Sequence, residues 1–283
     1  MFDALLSPKA VQESLLTAGL FFRDSPGKID ATEILNAGDR YNICKDSKLM
    51  DMIGALHFDL GNQSKYLINS VNLRIKLERN KDAFAPMSAS QDFKIVIQHA
   101  SLFVRKVKVA PSILIAHETA LSRGAIKMPL RRTEVKSFAL SSGMQSITIP
   151  NAFIGQVPAR LIMLCLLDGN RMIPSKPYQP KFDTSNSYSR CYMSLFTDLG
   201  RYHKDQDINI SYSEYKDGYT LLAIDLTPDL SADGMHDSVL RNSNLALDIC
   251  FSKALPETVN LIVYAEYRNV IEIDKNRNVL TDF

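Results

Sequence analysis

Cysteine is scarce in this chain: four in 283 residues, at positions 44, 165, 191 and 250. No two are close enough to form a Cys-x-x-Cys pair, which removes the ligand spacing of a zinc module. They read as buried structural thiols of a reducing compartment. Long apolar runs are missing as well. The nearest approach, Leu161–Leu167, is a single strand's worth, far short of the roughly 18–20 residues that span a bilayer. No membrane span is expected. Met1-Phe2-Asp3 shows no basic region followed by an apolar run, so no signal peptide is read there and the chain is expected to be intracellular. The sequons at Asn62 and Asn209 therefore carry little weight. An excess of one charge is lacking: 33 Lys+Arg minus 31 Asp+Glu leaves +2, too little for bulk attraction to nucleic acid or an anionic membrane.

Catalytic signatures are sparse in the same way. The five histidines, at 57, 99, 117, 203 and 236, form neither an HExxH motif nor a close pair. There is no GxSxG elbow, P-loop or dinucleotide fingerprint. Asp205, Asp207, Asn209 and Ser211 are spaced like the first ligands of a calcium loop. Ile210 stands where that loop needs Gly, however, and Lys216 where it needs a bidentate Glu. A solvated polar loop is the reading. An enzyme on a β-sandwich would need carboxylates converging in a cleft, for which Asp205, Asp207 and Glu214 are the candidates. No catalytic, cofactor-binding or metal residue is assigned.

What the chain does have is alternation. Ser7-Pro8 opens a short helix with Val11, Leu15 and Ala18 on one face, closed by Gly19. From residue 71 the period becomes two. Val71, Leu73, Ile75 and Leu77 alternate with Asn72, Arg74, Lys76 and Glu78, and Phe93, Ile95 and Ile97 repeat the pattern. Ser101–Val109 reads as a further strand. Pro111–Gly124 reads as a connector helix. Beyond it come candidate strands at Thr133–Leu140, Ser146–Ile149, Ala159–Leu167 (ending in the Asp168-Gly169 turn), Tyr219–Leu226, Leu245–Phe251, Val259–Ala265 and Val270–Asp274. Pro174, Pro177 and Pro180 mark a loop. The fold class is all-β with a few short helices, a sandwich or jelly roll. Arg105, Lys106 and Lys108, with Arg131-Arg132, are the candidate phosphate-contacting cluster.

Several stretches resemble a known family. The C-terminal run Ala254–Tyr267, followed by Asn269–Val279, is similar to the end of the double jelly-roll major capsid protein (hexon) of Polinton/Maverick elements and adintoviruses. Further matches occur in order at Asp51–Gly54 with His57–Asp59, Arg79–Phe84, Ala100–Val107, Ile173–Pro177 and Tyr219–Leu230. The resemblance covers nearly the whole chain. It implies a double jelly roll whose first jelly roll is incomplete: residues 1–110 with the N-terminal helix, a connector helix at 111–124, and a second jelly roll at 125–283. Family members begin well upstream and carry an insert before the strand leading to Asp168-Gly169, whereas here Pro158–Ile162 runs straight into Met163-Leu164-Cys165. The chain therefore reads as a shortened relative.

The resemblance also implies a function. Three subunits would form a pseudo-hexagonal homotrimeric capsomer. Its partners would be neighbouring capsomers, a penton-type minor capsid protein and packaged double-stranded DNA, with Arg105, Lys106 and Lys108 facing that DNA. The location would be the virion, and neither cofactor nor metal is implied. The other reading is a domesticated or decayed genomic copy acting as a non-enzymatic protein- or carbohydrate-binding module.

Overall fold

The computed structural model describes residues 2–24, 35–80, 82, 93–162, 166–168, 171–183, 185–202, 204, 206–234 and 239–281. His203, Asp205, His236, Gly169, residues 163–165 and residues 81, 83 and 84 of one family match lie outside the described residues. The chain divides into two compact units. Unit 1 is Met1–Asn62 with Leu130–Arg268, and unit 2 is Gln63–Pro129 with Asn269–Phe283.

The α-helices are α1 (Phe2–Leu5), α2 (Lys9–Gln12), α3 (Leu35–Cys44), α4 (Asp59–Asn62), α5 (Pro111–Arg123), α6 (Ser189–Thr197) and α7 (Tyr212–Lys216). The strands are β1 (Ile126–Leu140), β2 (Ser146–Gln156), β3 (Arg160–Ile162), β4 (Leu166–Asp168), β5 (Arg171–Ile173), β6 (Ala223–Asp225), β7 (Asn242–Cys250), β8 (Val259–Ile273) and β9 (Val279–Thr281). They form two sheets. One runs β1-β8-β3-β6, with β9 also on β8; the other runs β2-β7-β4-β5. Strand β1 neighbours β8, β2 neighbours β7, β3 neighbours β6 and β4 neighbours β5. This is the pairing of one long hairpin, and rolling it into two sheets adds the β8–β3 and β7–β4 contacts that are also present. The result is the strand order of a jelly roll.

The sandwich is filled by side chains from both sheets. Phe153, Leu245 and Leu247 come from one sheet, and Leu161, Ile224, Val263 and Ala265 from the other. Alternation puts these residues inside, because successive strand residues face opposite ways. A second apolar layer covers the outer face of the β1-β8-β3-β6 sheet. Ile162 and Ala223 meet Cys191 and Leu195 of α6, Tyr215 of α7 and Leu6 next to α1. Helix α7 starts with a reciprocal capping box. The Ser211 side chain accepts from the Glu214 N–H, and Glu214 accepts from the Ser211 N–H. Helix α6 ends at Thr197, and the turn after it passes through Gly200, whose φ of +65° favours glycine; an added Cβ there would collide with the Asp233 carboxylate.

Several expectations are corrected. Residues 71–80 and 93–110 carry no strand ladder among the described residues. Alternation makes a strand only where a neighbouring backbone offers partners, and among the described residues none does. The Ala159–Leu167 run splits into β3 and β4, which belong to different sheets. Leu222 joins the helix-covered layer rather than sharing a face with Ile224 and Leu226. Strand β2 continues past Pro150 to Gln156 because the register shifts between Ile149 and Phe153. Asn151 there has a φ of 53°, so a bulge absorbs the proline on this edge strand. The N-terminal helix is only Lys9–Gln12 followed by a 3-10 turn, and Leu15 is 66% exposed. The buried residue there is Gln12, whose amide donates to the carbonyls of Ala4, Leu5 and Ser7 and whose Oε1 accepts from Asn209. Helix α5 forms as read, with Pro111 in its first turn and Gly124 just past its end.

Candidate assembly surface

Within unit 2, residues 71–80 and 93–110 have alternating sequences but form no strand among the described residues. Along 93–99 the side chains alternate, yet Phe93 is 55%, Ile95 40%, Val96 62% and Ile97 61% exposed. Phe103 is 82% exposed, and Leu73 and Leu77 are exposed as well. Among the described residues, the hydrogen bond that reaches the 93–99 backbone runs from the Ile95 N–H to Asp82 Oδ1 at 3.2 Å. The Arg79 guanidinium bonded to Asp82, together with that N–H, holds the carboxyl below the usual carboxylate range. A contiguous run of exposed apolar side chains marks an interaction surface. Elsewhere unit 2 is held by ion pairs, Lys127 with Glu272 at 2.8 Å and Arg277 with Glu118.

The basic cluster Arg105, Lys106 and Lys108 is exposed. The other pair divides. Arg131 is exposed, whereas Arg132 turns inward and its guanidinium lies 4.2 Å from the Tyr267 ring centroid. Arg132 opens a row of inward charges on β1. Glu134 lies 3.5 Å from Arg132 and 3.4 Å from Lys136. Lys136 in turn donates to the Ala152 carbonyl at 2.8 Å and sits 4.5 Å from the Phe153 ring centroid.

A second polar row crosses the outer face of the β1-β8-β3-β6 sheet. Arg160 stands directly opposite Glu266 on one side and Asp225 on the other. Its side chain is 8% exposed, and it meets Glu266 Oε2 at 3.3 Å. Its Nε and Nη2 are buried and find no hydrogen-bond partner among the described residues. Asp225 accepts from the Thr227 N–H (2.8 Å), the Thr227 hydroxyl (2.6 Å) and the Ala232 N–H (2.9 Å), which fixes the loop after β6. Asp198, at the end of α6, accepts from the Thr197 hydroxyl and from the Asp225 N–H. Burial pushes its carboxyl up, the nearby Asp225 adds to this, and Arg160 opposes it.

A stability prediction follows from Asp198. An acid whose folded pKa is raised destabilises the fold when ionised. That cost is present at neutral pH and disappears as pH falls through the raised value towards the unfolded one, near 3.9. Asp198→Asn should therefore raise the melting temperature by a few degrees at pH 7 and leave it unchanged near pH 3.5. Calorimetry at both pH values checks this, and a lower melting temperature at pH 7 would contradict it.

The remaining candidate residues do not converge. Asp207 accepts from the Lys9 N–H at 3.4 Å, while Glu214 pairs with Arg23 at 2.8 Å. Burial alone would raise the Glu214 carboxyl, but the Ser211 bonds and Arg23 outweigh it and hold the pKa low. The calcium-like spacing at 205–211 reflects buried Ile208 and Ile210 alternating with polar neighbours. Cys44 and Cys250 are exposed thiols and Cys191 is buried. Burial also raises the Tyr178 hydroxyl, to about 12. A shallow depression at one end of the sandwich is lined by Gln156, Pro158, Leu226, Arg241 and Arg268. Its two arginines donate to the Leu226 and Ser231 carbonyls. Among the described residues no group of three or more His, Cys, Asp or Glu is placed to hold a metal, and no helix is long and apolar enough to cross a membrane.

The chain is 23% identical over 315 residues to uncharacterized protein F54H12.2 of Caenorhabditis elegans, a match covering 99% of this chain and 73% of that protein. No protein-family model matches. Among solved structures, PBCV-1 VP54 fitted into a cryo-EM reconstruction of the virophage Sputnik aligns with a TM-score of 0.34 and 10% identity. That alignment covers 59% of this chain and 54% of the VP54 chain, about half its length.

Proposed function

We propose that this chain is a structural capsid subunit of the hexon type. The observation that carries the reading is the strand order β1-β8-β3-β6 facing β2-β7-β4-β5, in a chain whose sequence resembles double jelly-roll capsid proteins along nearly all its length. In this reading residues 125–283 are the second jelly roll, 111–124 the connector and 1–110 an incomplete first jelly roll. The source is a Polinton/Maverick element or an adintovirus. Three chains build a pseudo-hexagonal capsomer, because two similar lobes per chain give six per trimer. Capsomers then meet one another and a penton-type protein through their side surfaces. Arg105, Lys106 and Lys108 face packaged double-stranded DNA, where exposed cations bind phosphate without reading sequence. The exposed apolar run of unit 2 supports a self-associating protein over one that works alone.

Light scattering on the purified chain after size exclusion tests this. The expected mass is three times 31.7 kDa, or a multiple of that trimer. A monomer at every concentration would overturn the reading.

A further inference from the structure

We infer that Leu230 is a knob that enters the depression at the end of the sandwich on a second copy, while the second copy's Leu230 enters this one. The contact rests on the self-assembling reading above and is distinct from the three-fold one. Most described non-glycine residues with positive φ are polar, and two are leucines. Leu20 closes a 3-10 turn and is half-buried. Leu230 has a φ of 53° and is 71% exposed. Left-handed backbone is unfavourable for a bulky side chain, and at that exposure its own chain gives the side chain little cover in return.

The strained tip is braced from behind. The Leu230 N–H donates to the Thr227 carbonyl at 3.2 Å, and the Ser231 N–H donates to the Thr227 hydroxyl at 2.8 Å. Asp225 holds the loop at both ends, at Thr227 and at Ala232. Arg268 donates to the Ser231 carbonyl. Strain kept in place by such a frame points to a contact made at that position.

The depression supplies the matching recess. Its lining includes buried Val157, Pro158 and Leu226, and Val239 and Leu240, which are 80% and 63% exposed. Thr227 and Pro228 line it as well, so knob and recess lie side by side on one surface. A patch that carries a protruding group beside a recess complements itself under a two-fold rotation, each knob meeting the other copy's recess. The charges agree. Asp229 precedes the knob, and Arg241 and Arg268 line the recess, so the two-fold pair brings each carboxylate to the side of the other copy's guanidinium groups.

The area sets the strength. Leu230, Val239 and Leu240 offer roughly 100 Å² each, or about 600 Å² for two copies. That is about half the lower bound of a specific stand-alone interface. The pair is therefore weak between single chains and gains strength when one trimer presents three copies at once.

Mixed cysteine variants test the contact. In a background of Cys44→Ser and Cys250→Ser, a Leu230→Cys chain and a Leu240→Cys chain of different tag length should form a mixed disulfide on mild oxidation at high concentration. A Leu230→Cys chain mixed with one that keeps Cys250 should not. Cys250 lies eight residues along β7 from Asn242, about 26 Å from that end of the strand. Leu230→Asn should abolish association through this face yet melt no lower than the parent, because asparagine tolerates the left-handed backbone. A lower melting temperature with association intact would overturn the knob. Light scattering on the same samples separates the two claims. A trimer whose 230–240 link does not exceed the Cys250 control overturns the two-fold pair and leaves the capsid reading intact. A 230–240 link with no trimer supports the pair and removes the hexon-type reading. A monomer without the link overturns both.

Discussion

Arg160→Ala is expected to cost roughly 3–5 kcal/mol, the usual penalty for removing one partner of a buried ion pair. For a folded unit of this size that is a fall in melting temperature on the order of 10 °C. The reason lies in the row across the sheet. Arg160 is the cation between Glu266 and Asp225, its direct neighbours on β8 and β6. Without it, Glu266 keeps a largely buried charge, at 17% side-chain exposure, and loses its cation. Asp198, already pushed up by burial, loses an opposing charge as well. The double variant Arg160→Met with Glu266→Gln should recover more than half of the loss, because replacing a whole buried pair with neutral groups is often close to neutral. Thermal unfolding of the three proteins followed by circular dichroism is the measurement. If Arg160→Ala melts within a degree or two of the parent, the row is not holding the sheet.

Leu247→Ala is expected to cost about 2–5 kcal/mol through lost burial and the cavity left behind. Leu247 is 0% exposed and lies on β7, with Ile149 of β2 and Leu166 of β4 as its ladder neighbours. Its side chain fills the space between the two sheets. Ile154→Ala is the matched control, since Ile154 belongs to β2 but is 70% exposed. It should shift stability by less than about 0.5 kcal/mol. Urea unfolding with an unchanged slope would show that Leu247→Ala acts on the native core rather than on the unfolded chain. Equal costs for the two substitutions would mean that the sandwich does not close over Leu247 as described.

These two residues differ in how visible they were in the sequence. Leu247 sits in the alternation Leu245, Leu247, Ile249, which marks an inner strand face and proves to be one. The same rule located β1, β2 and β8, although it ended β2 too early at Pro150 and split the continuous β8 (Val259–Ile273) into two strands. Arg160 gave no signal. A lone arginine at the head of an apolar run reads as a solvated end, and its carboxylate neighbours lie 65 and 106 positions away. Only the winding of the sheets brings them together. Period-two patterns at 71–78 and 93–98 were legible as well, but a pattern states which face wants cover and not whether a neighbour supplies it. Gln12 shows the opposite limit. Its helix reads as apolar on one face, yet the buried group is an amide whose partners are all backbone carbonyls and one distant asparagine.

The inward charges of β1 have a consequence for growth into fibres. A sandwich polymerises when one open edge can accept the next molecule and present an equivalent edge behind it. On β1 the Arg132, Glu134 and Lys136 side chains point into the mouth of the sandwich and are held there by Tyr267, Phe153 and the Ala152 carbonyl. A strand arriving at that edge would have to seal those charges away from water with nothing of its own to neutralise them. Stacking through β1 is therefore disfavoured, and the sandwich can be present at high local concentration without seeding a filament from that edge.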